Sequence, residues 1–149
     1  MVPRIPCKIK KLHPDAKIPV QAKPGDTGYD LYAISEKSVI DGTGYTITYG
    51  TGLAIELDKN FCAYLAPRSS LTKNTTLMLG NSIGLIDSDY RGELMFQFRN
   101  LSNHGIKKYN VGDRIGQLFI LDRYEIKFEE VDELTDTVRG KGGIGSTGR

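Results

Sequence analysis

The chain has 149 residues, 20 Lys+Arg against 18 Asp+Glu and a formal net charge of +2. That is the size of one domain, long enough to bury about two-thirds of its unfolded surface. The near balance, with no long run of either sign, argues against a dedicated nucleic-acid groove or a membrane-binding patch, and no apolar stretch approaches the length of a spanning helix.

The N-terminal stretch MVPRIPCKIKKLHPDAK lacks the apolar core of a signal peptide. Cys7 and Cys62 have neither CxxC nor metal-ligand spacing. Unpaired thiols in a reducing compartment are expected, and with them a cytoplasmic location (the host's cytoplasm, if the source is viral). Lys8–Leu12 reads as a first strand, Lys23–Gly28 as a loop and Tyr29–Ala33 as the next strand. Ser38–Ile40, Tyr45–Tyr49, Thr51–Leu57 and Phe61–Ala66 follow, the last stopped by Pro67. Ser69–Asn74 is the best helix candidate and spans a turn or two. Strands resume at Leu77–Leu79, Lys107–Asn110 and Ile115–Leu121, with Phe128–Val131 as a last short one. Between them, Ser82–Ile86 and Glu93–Phe98 read as the arms of a hairpin with two acids and a tyrosine at its mouth. Short strands with turn signals every eight to twelve residues predict an all-β sandwich or barrel. From Arg139 onward the chain has too few apolar residues to join a core and is expected to form a tail.

Several segments carry chemistry. Gly140–Gly145 fits GxGxxG, but that pattern needs a preceding strand and a following helix, so a dinucleotide-binding loop is not expected. The same tail offers a row of backbone N–H groups, Arg139 and the Ser146 and Thr147 hydroxyls, which suit an anionic ligand. Arg68, Ser69 and Ser70 stand where a strand gives way to the helix; the serines are natural N-caps, and the trio also suits an anion. Gly112-Asp113-Arg114 reads as a turn with an ion pair and leads to Gln117, a polar amide in an otherwise apolar strand that needs a partner. Asp30 sits in a short strand directly after a Gly-rich loop, and His13 and His104 read as surface residues.

Five segments taken together resemble the five motifs of the trimeric dUTP pyrophosphatases, or dUTPases. They are Thr27–Leu31, Ala66–Leu71, Gly84–Gly92, Gly112–Leu118 and Arg139–Gly148, in matching order and spacing. The resemblance implies a jelly-roll-like all-β fold over residues 1–138, with residues 139–149 as an arm that closes over a neighbouring subunit's active site. It implies a homotrimer with three sites shared between subunits, no membrane partner and no direct nucleic-acid binding. The reaction implied is dUTP plus water to dUMP and diphosphate with Mg²⁺ on the triphosphate, which keeps uracil out of DNA and supplies dUMP for dTMP synthesis.

Carried over by motif, Asp87 orients and deprotonates the water that attacks the α-phosphorus, and Asp89 serves the hairpin's structure. Arg68, Ser69, Ser70 and Gln117 match phosphate contacts, as do Arg139, Ser146 and Thr147 on the arm. Asp30 matches an acid that touches the metal's water shell, and no direct protein ligand to Mg²⁺ is expected. Asn81 and the backbone from there through Gly84 and Leu85, with Ile86 beside it, match the uracil-reading hairpin. Tyr90 resembles the residue that packs on deoxyribose and excludes a 2′-hydroxyl, and Met95 lines the same pocket. In the arm, Gly143, Ile144 and Gly145 match the lid over the base, but Ile144 stands where an aromatic is usual. It covers uracil without stacking, so Ile144→Phe is expected to lower KM. Gly116, where alanine is common, reads as neutral. The nearest alternative is a dCTP deaminase, which shares the fold but uses a glutamate and different hairpin residues; a regulatory protein on the same scaffold is the second.

Overall fold

The computed structural model describes residues 4–42 and 44–143. Ten strands and one short helix follow in the order β1 (Cys7–Lys11), β2 (Tyr29–Tyr32), β3 (Ser35–Asp41), β4 (Gly44–Gly50), β5 (Leu53–Leu57), β6 (Phe61–Pro67), α1 (Leu71–Asn74), β7 (Leu77–Leu79), β8 (Gly84–Ile86), β9 (Met95–Asn100) and β10 (Arg114–Asp122). They form two four-stranded sheets, β2-β10-β6-β8 and β3-β4-β9-β7, and a two-stranded sheet β1-β5. The all-β reading holds.

Period-two patterning explains how the sheets bury their inner faces. In β9, Phe96 and Phe98 are buried while Met95, Gln97 and Arg99 are exposed. Opposite them in β4 lie Tyr49 and Ile47, paired with Phe96 and Phe98 respectively. The Tyr49 ring meets Phe98 edge-on at 6.0 Å, and Phe96 stacks on Phe98 at 6.1 Å. Leu31, Leu65 and Ile115 fill the core from the other large sheet, so the three sheets share one apolar cluster.

The expected hairpin is not one. β8 pairs with β6, whereas β9 pairs with β4 and β7, so the two runs belong to different sheets. Before β9 begins, Leu94 donates its N–H to the Leu53 carbonyl at 2.8 Å and accepts from Thr51 N–H at 3.2 Å. The Glu93 carboxylate accepts from Gly52 N–H at 2.7 Å. Those bonds to the β4–β5 turn pull the chain across to the second sheet, and the 87–94 segment becomes a crossover.

Two other expected strands are absent. Residues 107–110 are irregular; Lys107 bonds to Thr76 through its carbonyl and its N–H, and Tyr109 is buried. Residues 128–131 carry no regular structure and pair with no strand among the described residues, and Phe128 is 87% exposed.

Candidate active site

The Arg68–Gln117 region is built on three neighbouring strands. β10 lies between β2 and β6, and the register sets Gln117 beside Asp30 on one side and Ala66 on the other. Pro67 ends β6, so Arg68 emerges just beyond. Asp30 is only 2% exposed, yet it is ionisable and must be compensated to stay charged there. Arg114 Nη1 donates to its Oδ2 at 2.9 Å and Gln117 Nε2 to its Oδ1 at 3.2 Å. Arg68 Nε stands 3.4 Å from Oδ1.

The sequence reading foresaw a partner for Gln117 and an ion pair for Arg114, but not that one residue, Asp30, serves both. Asp113 instead accepts from Asn110 N–H at 2.7 Å, closing its own turn. Arg114 is the residue motif reasoning passed over; its signal was a cation two positions after a turn glycine on the strand that carries Gln117.

Ser70 occupies the N-cap position of α1, but its hydroxyl makes no capping bond. It accepts instead from Arg68 Nη1 at 3.4 Å. Ser69 is exposed beside it.

A second constellation lies around β8. Asn81, Gly84 and Met95 line a cleft of about 360 Å³ together with Leu65, Gln97 and Arg99. Ser82 holds φ +61°, a left-handed conformation unusual for a residue with a side chain. The turn this makes is closed by Ser82 N–H donating to the Leu79 carbonyl at 3.1 Å and Ile83 N–H to that of Asn81 at 2.6 Å. β8 is the last strand of its sheet, so its outer backbone groups face away from any neighbour strand. Gly84 packs close under Leu65, where a β-carbon would come within 3.0 Å of Leu65 Cβ. Leu85 is exposed and Ile86 half-buried.

Beyond β8 the chain turns at Asp87, whose carbonyl accepts from Tyr90 N–H at 3.1 Å and whose side chain is exposed. The Tyr90 ring folds over Gly92, and its hydroxyl donates to the Glu93 carbonyl at 3.1 Å. Arg91 ties the same loop by donating to the Ser88 carbonyl at 2.8 Å.

The two constellations do not meet at Asp87. Antiparallel pairing of Ala63 with Ile86 and of Leu65 with Gly84 sets Asp87 near Cys62, at one end of β6, and Arg68 beyond the other. Those six positions of extended chain span roughly 20 Å. Arg139 and Gly143 are both exposed, and Arg139 Nε donates within its own turn to the Gly142 carbonyl at 3.0 Å. Ile144, Gly145, Ser146 and Thr147 lie outside the described residues. No helix among the described residues is long and apolar enough to cross a membrane.

A family model described as dUTPase matches residues 14–148. The deoxyuridine 5′-triphosphate nucleotidohydrolase of Clostridioides difficile is 44% identical over 143 residues, covering 95% of this chain and 96% of that protein. The enzyme of the same name from Aeromonas salmonicida is 42% identical over 133 residues, covering 89% and 87%. Among solved structures, a Staphylococcus bacteriophage 80alpha dUTPase with dUPNHPP superposes at a TM-score of 0.79 and 21% identity, covering 97% of this chain and 99% of that one. A mutant dUTPase from phage phi11 of S. aureus, described as coordinating a structural Mg(II) ion, superposes at 0.71 and 20% identity, covering 88% and 99%.

Proposed function

The chain belongs to the dUTPase family, and from that premise we propose how its residues carry out the hydrolysis of dUTP to dUMP and diphosphate. A water oxygen attacks the α-phosphorus, Asp87 accepts the proton, and the bond to the bridging oxygen breaks as diphosphate leaves. An exposed carboxylate on a loop tied by its own backbone bonds suits that work, since it is positioned yet reaches solvent. Charge builds on the phosphate oxygens, and catalysis rests on cations and donors already in place. Arg68, the Ser69 and Ser70 hydroxyls and the second N–H of the Gln117 amide supply them, joined by Arg139, Ser146 and Thr147 of a closing arm formed by residues 139–149. Gly143, Ile144 and Gly145 of that arm cover the base.

Uracil presents an N3–H donor between two carbonyl acceptors. The open outer edge of β8 offers alternating backbone donors and acceptors to match it, with Asn81 beside them. Cytosine presents an acceptor at N3 and a donor at N4, a different order that leaves polar groups of the edge unpaired. Tyr90 and Met95 flank the sugar.

The observation that carries this reading is the convergence of two other motifs on Asp30. It holds Gln117 and Arg114 by hydrogen bonds and draws Arg68 to 3.4 Å, a prepared phosphate-binding floor.

The distance from Asp87 to that floor along β6 favours a site completed by another copy, and a homotrimer supplies one. Exposed apolar side chains along 124–134, among them Tyr124 at 79% and Leu134 at 86%, give such copies something to cover.

On this reading magnesium arrives with the substrate, bound to the triphosphate and keeping several of its waters. Among the described residues no group of three or more His, Cys, Asp or Glu could hold the ion. Asp30 accepts one hydrogen bond on each oxygen and keeps lone pairs with which to accept from a water of the ion's hydration shell. Bound to the triphosphate, the ion neutralises its charge. A cytoplasmic location agrees with Cys7 and Cys62 both being free thiols.

The test is to offer dUTP, dCTP, dTTP and UTP with Mg²⁺ and follow diphosphate and proton release. Hydrolysis of dUTP alone, lost in Asp87→Asn, is the expected result. Ammonia from dCTP would instead assign deaminase chemistry.

A further inference from the structure

Arg114 and Gln117 are three positions apart on one strand, and regular alternation would aim them at opposite faces of the sheet. Both nevertheless bond to the same carboxylate. The reason is a bulge. Arg114 pairs with Tyr32 and Gly116 with Leu31, so two steps of β10 are set against one of β2. Ile115, the extra residue, is fully buried and pins the distortion in the core. The bulge turns the Arg114 side chain onto the face that carries Gln117.

Arg114 is thereby the nearest cation to Asp30, at 2.9 Å against 3.4 Å for Arg68. A sealed carboxylate lacking that partner would draw in the next cation, which is Arg68. Its Nε already stands 3.4 Å from Oδ1; with an Nη committed to Oδ2 as well, Arg68 would turn from the phosphates to the protein. It would also compete for Oδ1, which orients Gln117.

We propose that Arg114 is a positioning residue: by holding Asp30 Oδ2 it keeps Arg68, whose Nε stands 3.4 Å from Oδ1, from closing fully onto the carboxylate, so that the Arg68 Nη groups face phosphate and Gln117 stays correctly turned. The inference rests on the reading of Arg68 and Gln117 as phosphate contacts.

The experiment measures calorimetric binding of a non-hydrolysable dUTP analogue, alongside KM and kcat for dUTP, in wild type, Arg114→Met, Arg114→Gln and the double variant Asp30→Asn/Arg114→Met. Thermal melts and size exclusion establish that each is folded and assembled, and Arg114→Gln, which keeps a donor without charge, stands in should the methionine variant fail to fold. Analogue affinity should fall about tenfold in either single variant, with KM rising in step and kcat changing less. In the double variant, with no stray charge to capture Arg68, most of that affinity should return.

A double variant as weak as Arg114→Met would overturn the inference, because removing the charge that Arg114 satisfies would then restore nothing. Unchanged affinity in both single variants would overturn it as well, leaving Arg114 a purely structural residue. Wild type that binds the analogue but releases no diphosphate refutes the assigned reaction, while the affinity comparison still decides the role of Arg114.

Discussion

The Phe96 ring occupies the space that a β-carbon on Gly116 would need: an ideal Cβ there would lie 2.1 Å from Phe96 Cε1. The ring has little room to retreat, since it stacks nearly parallel on Phe98 at 6.1 Å and is fully buried. The Ala66 carbonyl oxygen would also stand only 3.0 Å away. Gly116 reads as neutral in the sequence; the structure makes it a packing requirement of a chain that carries Phe96. Gly116→Ala should lower stability by about 1–3 kcal/mol, the usual cost of overpacking a filled core. Urea unfolding checks this, and an unchanged midpoint would mean that Phe96 repacks freely.

Tyr109 offers the opposite case. Its backbone carbonyl accepts from the Tyr49 hydroxyl at 2.8 Å, but its own buried hydroxyl has no hydrogen-bond partner among the described residues. Removing an unsatisfied buried group relieves a desolvation cost, so Tyr109→Phe should raise stability by roughly 1 kcal/mol. Tyr49→Phe should do the reverse, because it leaves the Tyr109 carbonyl unpaired. Paired urea titrations read both signs at once, and a destabilised Tyr109→Phe would count against an idle hydroxyl.

The same two tyrosines set the alkaline limit. Burial first, then repulsion from Glu36, pushes the Tyr49 hydroxyl well above its ordinary value of 10.0, and burial raises Tyr109 too. In the folded state both hold their protons where the unfolded chain has begun to release them. Their contribution is therefore complete below about pH 10 and is lost as pH rises toward the folded pKa values. Stability measured from pH 8 to 12 should decline from about pH 10, with a shallower slope in Tyr49→Phe. An equal slope in that variant would place the alkaline transition on other groups.

Much of the fold was legible because period-two burial is a local signal: Phe96 and Phe98, or Ile47 and Tyr49, announce their strands unaided. What stayed hidden depends on partners distant in sequence. Nothing in Glu93-Leu94 says that their bonds go to Gly52, Leu53 and Thr51, so two strands of different sheets looked like a hairpin. Likewise the bulge at Ile115 is invisible until β10 is set against β2, and with it the reason Arg114 reaches Asp30 and not its neighbour Asp113. The candidate site residues are nominated one motif at a time. Their convergence on Asp30 was not legible, because a buried acid in a short strand has the same local sequence whether it binds metal, substrate or its own arginines.

If Asp87 and Arg68 of one chain stand at opposite ends of β6, roughly 20 Å apart along the strand, two inactive variants should rescue each other. On the proposed reading Asp87→Asn lacks the base and Arg68→Met lacks a phosphate contact, so each variant, assembled as the proposed homotrimer, should be nearly inactive. In mixed trimers a site that takes Asp87 from one chain and Arg68 from another sometimes receives both intact. Random one-to-one assembly makes that so for about a quarter of the sites, and co-refolding the two variants should recover about that share of wild-type activity. Activity that stays at the level of the parents, in mixtures shown by mass to contain hybrid trimers, would mean that both residues serve one site from the same chain. The β6–β8 register would then have to change when substrate binds.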